Sequence, residues 1–318
     1  MVQINIEEAE WFKGMFFPKH CWTEVAKKAN ACGIEKITIG KHSILNIVDL
    51  EANEIAVIIS VEPCALGQTA ELKVLQALGQ YEKKILLITT NEALKGISTS
   101  IHILSREERE RIMQPMARHD WNAEFTDKTK NISMIYSGKK VMNGHGLRSF
   151  IFHKYYESGR IDFFTSLGQT NKHKLYENRV NSIIPYRYNI IIENTLNTDH
   201  VSEQLKDAIL GKCIPLYFGG KNCVSDIIAD IYGLNLDGII DLRNKGLDET
   251  IMSIGEDFYK SSHDVINENH SKMKNKICEL GWDGLERSST SYTWLGDIVI
   301  QKIKNAASKY RVSPSSLH

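Results

Sequence analysis

The sequence has no apolar run approaching the roughly 20 residues that span a bilayer. Its opening residues, MVQINIEEAEWF, are acidic and lack the apolar stretch of a secretory signal. A soluble, cytoplasmic protein without a transmembrane segment is therefore expected. There is no excess of charge either, because 39 Lys and Arg balance 39 Asp and Glu. That excludes a general pull toward nucleic acid or an anionic membrane and leaves room only for local basic patches. The six cysteines, Cys21, Cys32, Cys64, Cys213, Cys223 and Cys278, form no C-x-x-C pair. They read as free thiols in a reducing compartment, not as a disulfide framework or a zinc site. No internal repeat and no low-complexity segment is present.

What remains is an ordinary globular composition. The 318 residues are 42% apolar and 25% charged, enough for one large domain or two of average size. Short apolar runs alternate with helical patterns, which points to an α/β fold. In the first half, strands are expected at Lys36–Ile39, Ile44–Leu50, Ile55–Val61, Lys84–Ile88 and Ile101–Leu104, with helices at Trp22–Cys32 and Thr69–Tyr81. The charged, weakly patterned stretch from Arg106 to Lys130 marks the connection. It divides the chain into domains at 1–125 and 126–318. In the second domain Ile132–Tyr136 is a strand and 137–148 a Gly- and Lys-bearing loop. A helix at Ser149–Glu157 and a strand at Ile161–Phe164 come next, then a polar excursion over Gln169–Arg179. Further on, Gly238–Asp241 is a strand, Leu247–Ile254 a helix and Asp257–Leu280 one long helix.

The most informative stretch runs from Ser182 to Asn222. Tyr188-Asn189-Ile190-Ile191-Ile192 is β-branched and apolar, suited to a strand buried on both faces. It ends in Glu193-Asn194. Apolar residues at 201, 205, 208 and 209 have helical spacing, with Asp199 as N-cap and Gly211 as stop. Cys213–Phe218 is the second strand, closed by Gly219-Gly220. In such a β-α-β unit, ligands bind beyond the carboxyl ends of the strands, where helix N-termini favour anions. Glu193, Asn194, His200, Ser202, Glu203 and Gln204 crowd that place.

The pattern Tyr-x-Tyr-Asn-(apolar)3-Glu-Asn, then Ser-Glu-Gln-Leu-x-Asp-Ala, then Pro-(apolar)3-Gly resembles the donor-binding motif of glycosyltransferase family 10, the α1,3/4-fucosyltransferases. Lys128-Thr129-Lys130 with Ser133-Met134-Ile135, Lys139-Lys140, Gly144-His145 and Arg148 is similar to the start of the donor domain in bacterial members. Ile59-Ser60-Val61-Glu62-Pro63 resembles the family's strand ending in Glu-Pro. The resemblance covers most of Ile55–Ile254. It implies a GT-B arrangement of two Rossmann-like domains facing a cleft, with acceptor bound by the first and nucleotide-sugar by the second. The implied reaction is inverting transfer of fucose from GDP-fucose to a glycan hydroxyl.

That reaction needs a base for the acceptor hydroxyl, stabilisation of the leaving diphosphate, and in-line positioning. The resemblance makes Glu62 the base, with Glu92 as second choice. It makes Arg148 the diphosphate ligand, since a guanidinium holds two phosphate oxygens at once. Lys139 and Lys140 add charge, and His145 is structural or on the phosphate side. Asn194 contacts the donor, Glu203 holds the ribose hydroxyls, and Tyr188 and Glu193 belong to the same donor set. Two positions depart from the family. Gln204 stands where it has Lys, and His200 where it has an aromatic. Both leave the nucleotide-sugar open, and a non-glycan acceptor or a non-catalytic nucleotide- or glycan-binding protein stays an alternative. No D-x-D pair occurs, so phosphate neutralisation by side chains and helix N-termini is expected, with no obligatory metal and no resident cofactor.

Overall fold

The structure is a computed structural model that describes residues 3–6, 25–27, 29–31, 34–40, 54–60, 75–76, 85–90, 94–106, 108, 128–140, 142–165, 179–196, 201–279, 298–302 and 304. The chain forms two compact units, Met1–Ile112 with Glu286–His318, and Met113–Leu285. The sequence reading kept everything beyond residue 126 together. Instead the last segment groups with the first unit, where Lys302 Nζ donates to Ser100 Oγ and Val299 is fully buried.

The fold is α/β, with one parallel sheet in each unit. The first sheet has the order β1-β2-β3-β4-β5. Its strands are β1 (Gln3–Ile6), β2 (Lys36–Gly40), β3 (Glu54–Ser60), β4 (Ile85–Thr89) and β5 (Ile101–Ile103). All neighbours are parallel. Ile55–Ile58 and Ile85–Ile88 are continuous apolar runs with almost no exposure, as a sheet covered on both faces requires. The expected strand at Ile44–Leu50 lies outside the described residues, whereas β1 had no counterpart in the sequence reading.

The second sheet has the order β10-β9-β8-β6-β7. Its strands are β6 (Lys130–Tyr136), β7 (Asp162–Thr165), β8 (Tyr186–Ile192), β9 (Ile214–Phe218) and β10 (Ile240–Asp241). The order carries a reversal. From β6 the chain steps to β7 on one side and then crosses to β8 on the other. The carboxyl ends of β6 and β8 thus form a topological switch point, where ligand crevices open in parallel sheets. Side chains alternate along β8. Tyr188, Ile190 and Ile192 face one core layer with Ile151, Ile214 and Leu216. Ile191 faces the other, with Leu205, Ala208, Ile209 and Met273.

Six α-helices of this unit bear on the site and its core. They are α1 (Asn143–Tyr155), α2 (Glu203–Leu210), α3 (Leu242–Lys245), α4 (Leu247–Ser253), α5 (Glu256–Ser261) and α6 (His263–Glu279). Three boundaries differ from expectation. Helix α1 begins at Asn143, inside the expected loop, because a tertiary contact outweighs the poor helix propensity of two glycines. Gly144 N–H donates to Asn194 O at 3.0 Å, and a Cβ on Gly144 would run into the Glu193 carbonyl. The N-cap of α2 is Ser202 and not Asp199. The expected long helix over 257–280 is broken at Ser262, where the backbone leaves helical geometry. No helix among the described residues is long and apolar enough to cross a membrane. Cys213, Cys223 and Cys278 are free thiols.

Candidate functional site

The site is built where β6 and β8 end. Beyond Ile192 the chain continues the alternation, so Glu193 points to the same side as Ile191, toward α2. Its side chain is fully buried. Oε1 accepts from Ser202 N–H at 2.9 Å and from Ser202 Oγ at 3.2 Å. A buried strand-end carboxylate thereby holds the first turn of α2, with no cap from Ser202 itself. Burial pushes the Glu193 carboxyl up to about 7, against the Ser202 donors and the Arg148 charge, while Glu203 adds to the rise. Glu193 Oε2 and the Tyr217 hydroxyl have no hydrogen-bond partner among the described residues. Tyr217 lies beside Glu193 and Cys223 without completing a hydrogen bond to either. Burial, and then the Glu193 charge, drive its ionisation far up.

Arg148, on the second turn of α1, is 6% exposed. Its Nη2 donates to Ile192 O, the last carbonyl of β8. Burial lowers its proton affinity, Glu193 raises it, Arg179 lowers it and Glu203 raises it. Arg148, Glu193 and Glu203 therefore act on one another across the switch point. Glu203 opens α2 and accepts from Arg179 Nη2 at 3.3 Å, and Arg179 Nε lies 3.7 Å from the fully buried Asp207. Glu203 and Asp207 are one helical turn apart on one face, so a single guanidinium meets both.

His145 is buried on the first turn of α1. Its Nδ1 accepts from Met142 N–H at 3.2 Å, which puts the ring proton on Nε2. Burial lowers its pKa, and Arg148 and Lys139 push the same way, so the imidazole is neutral. Lys139 and Lys140 are exposed, and Gln204 is half-buried on the first turn of α2. Asn143 Oδ1 accepts from Leu196 N–H at 3.1 Å. Among the described residues, no three His, Cys, Asp or Glu side chains converge as metal ligands.

Of the expected site residues, Arg148, Glu193, Asn194 and Glu203 are brought together here, with Gln204 on the same helix turn and Lys139 close enough to act on His145. Tyr188 is not. It points into the opposite core layer, is fully buried, and donates from its hydroxyl to Gly255 O at 2.8 Å. Its place in the motif reflects packing, because it lies four residues before the strand end. Glu62, Glu92 and His200 lie outside the described residues. The sequence reading missed Arg179, Asp207 and the linking role of Ser202. The acid pair at 203 and 207 was a usable signal, since two carboxylates one turn apart need a cation.

No protein-family model matches the chain, and no curated protein matches it. Solved structures similar to it include an α1,3-fucosyltransferase, at 13% identity over 86% of this chain and 80% of that one, with a TM-score of 0.45. Another is an α1,3-fucosyltransferase with GDP-fucose, at 11% identity over 98% and 91% of the two chains and a TM-score of 0.45. A third is a mutant of S. aureus TarM in complex with fondaparinux, α-GlcNAc-glycerol and UDP. It is 13% identical over 89% of this chain and 58% of that one, with a TM-score of 0.42.

Proposed function

We propose that the chain is an inverting glycosyltransferase that moves fucose from GDP-fucose to a glycan hydroxyl and binds the nucleotide-sugar at the carboxyl edge of β6 and β8. The observation that carries this reading is the convergence of Arg148, Glu193, Asn194 and Glu203 at the switch point of the second sheet. Arg148 is held by one N–H donor to Ile192 O and keeps others for phosphate oxygens. The first-turn amides of α2 face the same place and favour an anion. Glu203, held by Arg179, accepts from ribose hydroxyls. Glu62, which follows β3 in the sequence, takes the proton from the acceptor. Charge on the leaving diphosphate is met by side chains and amides, without an obligatory metal.

The neutral Gln204 on the first turn of α2 favours a second reading, the same scaffold with a different nucleotide-sugar. Calorimetric titration with GDP and UDP, followed by a donor panel that measures nucleotide release, separates the two. The first reading expects GDP binding and GDP release only from GDP-fucose, abolished in Glu62→Gln and in Arg148→Ala. Nucleotide binding without turnover of any donor would leave a non-catalytic binding protein. No binding of either nucleotide would sink the site itself.

A further inference from the structure

Near the switch point one arginine stands outside the charge pairs. Arg148 faces Glu193 and Glu203, and Arg179 pairs with Glu203 and Asp207. The two buried guanidinium groups are thus already offset by carboxylates. Gln204 carries no charge, and the exposed Lys139 and Lys140 are long flexible chains.

Arg243, on α3 directly after β10, is different. Its Nε donates to Gly219 O at 2.7 Å, and its Nη2 donates to Leu196 O at 3.1 Å and also to Gly219 O. The guanidinium carbon stands 4.8 Å from the centre of the Phe218 ring. The group therefore ties the loop after β8 to the loop after β9 and packs over a ring. Leu196 is gripped from both sides, since its N–H goes to Asn143 on the helix that carries Arg148. All hydrogen-bond acceptors of the Arg243 guanidinium are main-chain carbonyls, while its backbone N–H donates to Asp241 Oδ1 at 2.9 Å. Among the described residues it has no carboxylate in ion-pair range, and its Nη1, with two N–H donors, makes no hydrogen bond.

We propose that Arg243 is a phosphate-contacting residue of the donor site, using the free Nη1 donors and its unbalanced charge to hold an oxygen of the nucleotide diphosphate. This rests on the nucleotide-sugar reading of that site. Its pre-ordered, planar geometry suits an anion better than a mobile lysine does, because less side-chain freedom is lost per bond formed. A hydrogen bond between a guanidinium and phosphate is worth about ten- to a hundredfold in affinity.

The test is calorimetry on the full chain with the series GDP, GMP and guanosine, run in parallel with UDP, UMP and uridine, on wild type, Arg243→Gln and Arg243→Lys. Thermal unfolding confirms that each variant is folded. The expected result is a loss of about tenfold or more for the diphosphate in Arg243→Gln, less for the monophosphate and about none for the nucleoside, with Arg243→Lys in between. Equal losses for diphosphate and nucleoside would make Arg243 a loop clamp only and overturn the proposal, as would no loss at all. If Arg243→Gln does not fold, Arg243→Lys decides by the same criterion, diphosphate against nucleoside. A wild type that binds no member of either series overturns the site reading together with this one. A wild type that binds, with an unaffected Arg243→Gln, overturns only this one.

Discussion

In the first sheet the strands lie in chain order, β1 to β5, so every connection steps to the same side. In the second, the connections leave β6 and β8 in opposite directions. The two sheets are otherwise alike, parallel and with apolar central strands. The difference shows in what is buried. Around the second sheet's carboxyl edge lie Glu193, Arg148, Arg179 and Asp207, all nearly or fully buried. Among the first-sheet strand residues whose burial is described, the buried polar side chains are Thr38 and Thr89. Buried charge is costly unless it is paired and hydrogen-bonded. A crevice between diverging connections is where several chain segments end together and can supply such partners. The switch-point topology of the second sheet thus gives it a place where an ionic site can be held.

The largest expected effect comes from breaking that site. Arg148→Ala should abolish measurable nucleotide binding and lower any transfer rate by about 10²–10³, as removal of a charge-stabilising group does. It should also destabilise the fold by about 1–3 kcal/mol at neutral pH, because the Ile192 carbonyl loses its donor and the ionised fraction of Glu193 its cation. Chemical denaturation at pH 5.5 should show a smaller loss, since Glu193 is then protonated. Next comes the matched pair Leu205→Ala and Leu87→Ala, fully buried leucines beside the second and in the first sheet. Each should cost about 2–5 kcal/mol. Only the α2 substitution should weaken nucleotide binding. An affinity equally affected by Leu87→Ala would erase the contrast between the sheets.

Gly144→Ala sharpens the contrast at the backbone. Its Cβ meets the Glu193 carbonyl, which cannot yield without moving β8, so a loss of about 1–3 kcal/mol is expected, with nucleotide affinity falling in parallel. Gly146→Ala, two residues on and with nothing near its Cβ, should be neutral or slightly stabilising. A pH slope gives a further test. The folded-state pKa of Glu193, about 7, lies above the ordinary carboxylate value of 4.5. The folded state therefore binds more protons between those values, and stability is full below pH 4.5 and is lost as pH rises through 7. Glu193→Gln should remove that slope. Identical pH profiles for wild type and variant would show that the carboxyl is not held as described.

Much of the second unit was legible from local pattern. The run from Tyr188 to Ile192, a helix over 201–210 and the return over Cys213–Phe218 were readable because each repeats a burial period along the chain, and the structure moves their starts by one or two residues. The same patterns carried Glu193, Asn194 and Glu203 to a strand end and a helix start. The start of α1 was not readable, because Gly144 and Gly146 look like a loop until the approach of Glu193 and Asn194 is known. Nor was the role of Tyr188, which shares a motif with the site but points the other way along the pleat.

By itself the sequence determined the two α/β layers, the central strands and the acidic and amide groups at their ends, because periodicity and strand-end position are properties of neighbouring residues. Only the tertiary structure decided which cations meet those acids. Arg148 and Arg179 come from separate segments of the chain and converge on those acids because the crossover from β7 to β8 places those segments around one crevice. Burial then makes their pairing obligatory, since an unpaired charge there would cost several kcal/mol.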